Sequence, residues 1–245
     1  MSARILLSTC KRALTQLRND RRTIALIVAV PVMLLVLVYY LFQNQSGVFD
    51  HVGLIMLGLF PFILMFIITS IAMLRERTSG TLERLMSTPL HKADLLFGYG
   101  LAFSLAAALQ AMLASGVAYW LLALRTAGSA VMVIIVAVSD AVLGMALGLF
   151  FSAFAESEFQ AVQFMPAVVL PQLLVCGLFV PRQSMAGWLH GLSDAMPLTY
   201  AVQALQEIGA HASPTALMWR DLGIVLAAAV CALGFASATL RRRTA

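Results

Sequence analysis

The sequence predicts an all-α, polytopic integral membrane protein with six transmembrane helices, and three observations carry that expectation. Of the 245 residues 61% are hydrophobic and only 11% charged, with a mean hydropathy of +0.92, a composition that a water-soluble core does not need. The apolar residues fall into six runs, each long enough to cross a hydrocarbon core of about 30 Å. The basic residues crowd the ends of those runs, where anionic headgroups and topology account for the net charge of +5 without nucleic acid.

Residues 1–22 place Leu6, Leu7, Cys10, Ala13, Leu14 and Leu17 at three- and four-residue spacing, with Arg4, Lys11 and Arg18 on another face. That pattern is an amphipathic helix lying on the membrane surface. No secretory signal is expected: the first apolar run begins after this basic stretch, exceeds an h-region and lacks a small-residue cleavage site. Ile24 to Phe42 is span one, with Pro31 tolerated inside it. Val52 to Leu74 is span two, bent at Pro61. Phe97 to Leu124 is span three, anchored at its far end by Tyr119 and Trp120. Span four runs from Ser129 to Phe154 with the single charge Asp140, and span five from Ala161 to Val180 with Pro166 and Pro171. Leu222 to Leu240 is span six, closed by Arg241, Arg242 and Arg243. Between spans five and six, 181–221 keeps Met185, Trp188, Leu189, Leu192, Leu198, Leu205 and Ile208, more apolar than a solvated loop requires. Two short re-entrant helices are expected there, about 187–195 and 199–208, broken at Pro197 and capping the bundle from outside.

Six Lys and Arg in 1–22, four in 75–96 and three at 241–243 share one side, against Arg125, Arg182 and Arg220 on the other. The positive-inside rule puts both termini and the 75–96 connection in the cytoplasm.

That connection is the long polar interruption in the first two thirds of the chain. Gly80 can cap a helix, Glu83 sits three positions later where it reaches the free amides, and Pro89 pushes Thr88 out of helical geometry. The result is one short helix, about 81–87, whose Leu82, Leu85 and Met86 share a face while Glu83, Arg84 and Ser87 point elsewhere.

Intrinsic catalysis has no visible seat. The two lysines, Lys11 and Lys92, follow no glycine, so no phosphate loop exists. The histidines have no ligand spacing, no nucleophile motif appears, and Cys10, Cys176 and Cys231 are too scattered for a metal or disulfide framework. Asp140 lies about 12 residues into its span, roughly 18 Å at helical rise, near the midplane. It either faces a translocation cavity that favours cations, or is a carboxyl partnered by Ser139, another helix's hydroxyl or a water. Glu156 and Glu158 mark the turn before span five, as a solvated acidic cap or as a second contact for whatever grips the Gly80 helix.

At these residues a resemblance becomes specific. Arg75-Glu76-Arg77-x-x-Gly80-Thr81-Leu82-Glu83-x-Leu85-x-x-x-Pro89-Leu90, between spans two and three, resembles the cytoplasmic coupling segment of ABC-2 type transporter permeases. In the right order follow Ser152-Ala153-Phe154-Ala155-Glu156-Ser157-Glu158, Pro166, Pro171, Gly177-Leu178-Phe179-x-Pro181 and Pro197-Leu198-Thr199-Tyr200. The sequence departs from the family in having Cys176 where a small Ser is common and Gly187 where Pro often precedes the Trp.

The resemblance implies a permease that pairs with a second copy or a homologue and with two ABC ATPase subunits. It implies no cofactor in this chain, since ATP and Mg are bound by the partner ATPase. Arg75, Glu76, Arg77, Gly80, Thr81, Leu82, Glu83, Arg84 and Leu85 take the coupling role, Glu156 and Glu158 the second cytoplasmic contact. Asp140, Pro166, Pro171, Gly177, Phe179, Pro197 and Tyr200 are pathway or gate candidates. A compact chain without large soluble insertions matches the drug and antibiotic branch, hence efflux of an amphipathic small molecule through a plasma membrane. Lipid or polysaccharide export, and a non-transporting scaffold or immunity factor, are the alternatives.

Overall fold

A computed structural model describes residues 3–79 and 92–239. The helix expected over 81–87, with Gly80, Thr81, Leu82, Glu83, Arg84 and Leu85, and the basic cluster 241–243 lie outside the described residues.

The described chain is helical throughout, without a strand. In order, α1 is Ala3–Asn19, α2 Arg21–Leu41, α3 Ser46–Thr78, α4 Lys92–Trp120, α5 Ala130–Phe151, α6 Glu158–Val175, α7 Gly187–Ala195, α8 Pro197–Ala210 and α9 Ala216–Thr239. Single 3-10 turns stand at Ser152–Phe154 and Arg182–Ser184. Six of these helices, α2 to α6 and α9, are long and apolar enough to cross a membrane.

Local chemistry sets the ends. Asp20 caps α2 by accepting from Thr23 N, Ser129 caps α5 through Val131 N, and Ser157 caps α6 through Gln160 N with Glu158 in the first turn. Pro197, expected as a break between two helices, is the first residue of α8, where its missing N–H costs nothing.

Two spans end earlier than their apolar runs. Span three was expected to reach Leu124, but α4 stops at Trp120: Leu121 and Leu122 close its last turn on Val117 O, and Ala123, at φ 52°, turns the chain away. Span five was expected to reach Val180, but α6 stops at Val175 because Gly177 adopts φ 94°, which glycine alone takes without strain. Hydropathy reads only apolarity, so it runs through both turns. In the other direction, α3 outruns its expected span at both ends, and α9 starts six residues before Leu222.

α3 is the centre of the bundle, 72% buried over its span against 17% for α2. It crosses α5 at glycines: a Cβ on Gly144 would stand 2.2 Å from Phe62 O, and one on Gly148 would stand 2.3 Å from Phe66 O. Thr69 joins the two helices there, its Oγ1 lying 2.7 Å from Met65 O of α3 and 3.1 Å from Met145 O of α5. In a membrane, where lipid tails are as apolar as leucine, such backbone approach and shared hydroxyl bonding replace the hydrophobic drive to associate. α8 also belongs to this core. Leu198, Ala201, Val202, Leu205 and Ile208 are all buried, while Gln203 and Glu207 are only partly covered.

Candidate coupling end and outer concavity

The residues read as coupling elements sit at the α1 end of the bundle, at the C-terminus of α3. Each of the three that are described is engaged by a different element. Arg75 makes a two-point ion pair with Glu158 at the start of α6, Nε to Oε1 at 2.7 Å and Nη2 to Oε2 at 3.1 Å. Arg77 donates to the backbone carbonyl of Ser152, after α5. Glu76 is buried and turned into the protein, accepting from Gln16 Nε2 at 2.9 Å and pairing with Arg12 Nη2 at 3.4 Å, both on α1. Arg12 also donates to the Tyr99 hydroxyl of α4, and its guanidinium carbon lies 5.5 Å from that ring. α1 is held further by close packing, since Thr9 Cβ lies 2.7 Å from where Gly98 would carry a Cβ.

Sequence spacing named Arg75, Glu76 and Arg77 as one unit, and their side chains go three ways because successive helical residues are about 100° apart. Glu158 stands with this cluster, through Arg75. Glu156 is exposed, and its backbone N–H caps back onto Gln160 Oε1 at 2.9 Å. Arg12, Gln16 and Tyr99 were missed. Arg12 lies outside the seven-residue Arg4, Lys11, Arg18 register, which in hindsight marks it as facing elsewhere. Tyr99, a tyrosine three residues into an apolar run, gave no signal.

Asp140 is 1% exposed and packs against α3 and α8: Gly58, if given a Cβ, would bring it 3.1 Å from Oδ2 and 2.8 Å from Leu205 Cδ1. Ser139 is not its partner, as expected in one reading, because its Oγ donates to Ile135 O at 2.8 Å. Neither Asp140 oxygen has a hydrogen-bond partner in the described protein. Pro166 and Pro171 lie within α6, which continues through both.

At the opposite end, α3, α8 and the turn after α6 enclose a polar concavity of about 570 Å³. Asp50, Arg125, Arg182, Gln203 and Glu207 line it, as does Gly177. Arg182 is held by Asp194 and by Gln203 Oε1 at 2.9 Å, and Tyr200 fixes α7 to α8 by donating to Asp194 O at 2.7 Å. Phe179 is 64% exposed beside this turn.

The family model of the ABC-2 type transporter matches residues 4–208. The chain belongs to that family. It is similar to ABC transporter G family member 20 of Dictyostelium discoideum, 29% identical over 141 residues, 58% of this chain and 19% of that protein. It is also similar to two proteins of Escherichia coli K12. The probable multidrug ABC transporter permease YbhR is 24% identical over 177 residues, 72% of this chain and 48% of that protein. The probable multidrug ABC transporter permease YbhS is 24% identical over 178 residues, 72% of this chain and 47% of that protein. The chain thus spans about half, or less, of the length of these curated relatives. As an ABC-2 membrane domain it is a transporter component, and its six apolar helices are the membrane part.

Proposed function

We propose that this chain is the permease subunit of an ATP-binding cassette exporter that moves an amphipathic small molecule out of the cell. ATP and Mg are held by two separate ATPase subunits, and a second permease copy or a homologue completes a pathway at a two-fold interface. Both termini and the 80–91 segment lie on the cytoplasmic side, by the positive-inside rule. The observation that carries this reading is the family match combined with the three-way fixing of Arg75, Glu76 and Arg77. A push on the segment that begins at Gly80 is delivered at once to α1, to the end of α5 and to the start of α6. The multidrug relatives support a small-molecule cargo.

The chain co-purified with its ATPase is the material for the test. Compounds that are cargo raise ATP hydrolysis in the reconstituted complex, and replacing Leu82 and Leu85 together by Asp abolishes both the stimulation and the attachment of the ATPase. If stimulated hydrolysis and attachment survive that replacement, the Gly80 segment is not the coupling element.

Asp140 is proposed as a cation-preferring element beside the pathway, on the strength of its two unpartnered oxygens. Asp140→Asn is expected to lower transport of cationic cargo relative to neutral analogues. Equal transport of both classes by the variant and the parent removes Asp140 from the pathway.

A further inference from the structure

The elbow between α1 and α2 stands away from α3 and leaves, among the described residues, a cleft of about 430 Å³. Its long wall is one face of α3. Leu64, Ile68, Ile71 and Arg75 recur there at four, three and four residues, a stripe of roughly 16 Å at 1.5 Å per residue. That length matches one leaflet of a hydrocarbon core of about 30 Å. Leu26 of α2, 52% exposed, and Phe103 of α4 close the sides.

The wall is apolar along its length, and charge gathers only at the elbow end. Glu76 lines that end but is already engaged by Arg12 and Gln16. Asp20 and Arg75 stand at the mouth. Asp20 accepts from Thr23 Oγ1 at 2.7 Å and from Thr23 N at 3.1 Å, which holds its carboxyl below the usual carboxylate range and keeps it an anion. Arg75, bonded to Glu158 through Nε and Nη2, keeps its positive charge within electrostatic reach of Asp20. A surface that is apolar for one leaflet and ends on the Asp20 anion, with the Arg75–Glu158 pair beside it, suits a lipid whose headgroup offers a cation to Asp20.

We propose that this cleft binds a phospholipid with a primary-amine headgroup, its acyl chain along the Leu64 to Ile71 stripe, its ammonium on Asp20 and its phosphate beside Arg75. The amine is specified by chemistry. A primary ammonium donates hydrogen bonds to a carboxylate, a quaternary choline has none to give, and a glycerol headgroup brings no cation to Asp20. Such a lipid fills the gap under the elbow and fixes the angle between α1 and α2. It is a resident of the protein, separate from any cargo.

The test uses the full chain carrying Leu26→Trp, in nanodiscs of phosphatidylcholine doped with chain-brominated phosphatidylethanolamine, phosphatidylglycerol or phosphatidylcholine. The native tryptophans, Trp120, Trp188 and Trp219, belong to the opposite end, and the unsubstituted chain gives their contribution to be subtracted. Brominated phosphatidylethanolamine is expected to quench the reporter at about one third the mole fraction the other two need, and Asp20→Asn to erase that difference. Leu64→Trp, a second reporter on the facing wall, repeats the measurement should Leu26→Trp not yield a monodisperse protein.

Four outcomes overturn the proposal. Equal quenching by all three headgroups means ordinary annular lipid, and stronger quenching by the glycerol headgroup means an anionic-lipid site. No quenching of either reporter means that protein covers the cleft. Displacement of the brominated lipid by an amphiphile that also stimulates the ATPase means that the cleft belongs to the transport path.

Discussion

Gly144→Ala is expected to destabilise the bundle by about 3 kcal/mol, the upper end of what overpacking a tight contact costs. The added methyl carbon would meet Phe62 O at 2.2 Å and Phe62 Cα at 2.9 Å. Both are backbone atoms of α3, so no side-chain rotamer change relieves the clash and the two helices must part. Separation along this crossing also breaks the sharing of the Thr69 hydroxyl with Met145 O. Melting in detergent, followed by loss of the monodisperse peak on heating, is expected to fall by about 10 °C. Gly223→Ala is the control, because nothing lies within 4 Å of its added carbon and alanine favours the helix. Equal melting of the two variants would show that α3 and α5 do not approach as described.

Glu76→Ala is expected to have the next largest effect. It strips Arg12 of its ion-pair partner and Gln16 of its acceptor, both on α1. Leaving a buried charge unpaired costs several kcal/mol, but the Arg12 side chain is 31% exposed and regains some water. We therefore expect a loss of about 2 kcal/mol. The loss is local: α1 detaches while the spans hold, so protease sensitivity of residues 3–19 rises several-fold while detergent melting of the bundle shifts by only a few degrees. Glu76→Gln keeps an acceptor for Gln16 and is expected to fall between the two. Unchanged protection of α1 in Glu76→Ala would mean that packing at Thr9 and Gly98 alone holds this helix.

The architecture was legible because the membrane imposes it. With no water to satisfy backbone groups, any long apolar run must be a helix, so number and order of spans follow from hydropathy. Helix ends were less legible, since Ala123 and Gly177 stop α4 and α6 by backbone conformation inside runs that remain apolar. Near the end of α3, the sequence named Arg75, Glu76 and Arg77 for an outside partner and left Glu158 between a solvated cap and a second contact, while in the structure all four meet other parts of this chain. Glu76 is spent on α1, and reading that in advance needed Arg12 and Tyr99, 64 and 23 residues away in the chain. Long-range pairing of this kind leaves no periodic trace. The spacing of Gly144 and Gly148, small-xxx-small within an apolar helix, is a trace of close helix contact that hydropathy alone passes over.

The α3–α5 crossing has a mechanical consequence. α3 runs from Ser46 to Thr78, about 50 Å at helical rise, and Phe62, which touches Gly144, is its midpoint. Closest approach at the middle makes that contact a fulcrum. A rocking of about 5° there swings Asp50 and Glu76 roughly 2 Å in opposite directions, each on a lever arm of about 20 Å. Work applied beside Arg75 is therefore carried toward the polar concavity around Asp50 along one continuous helix, with Pro61 standing next to the fulcrum.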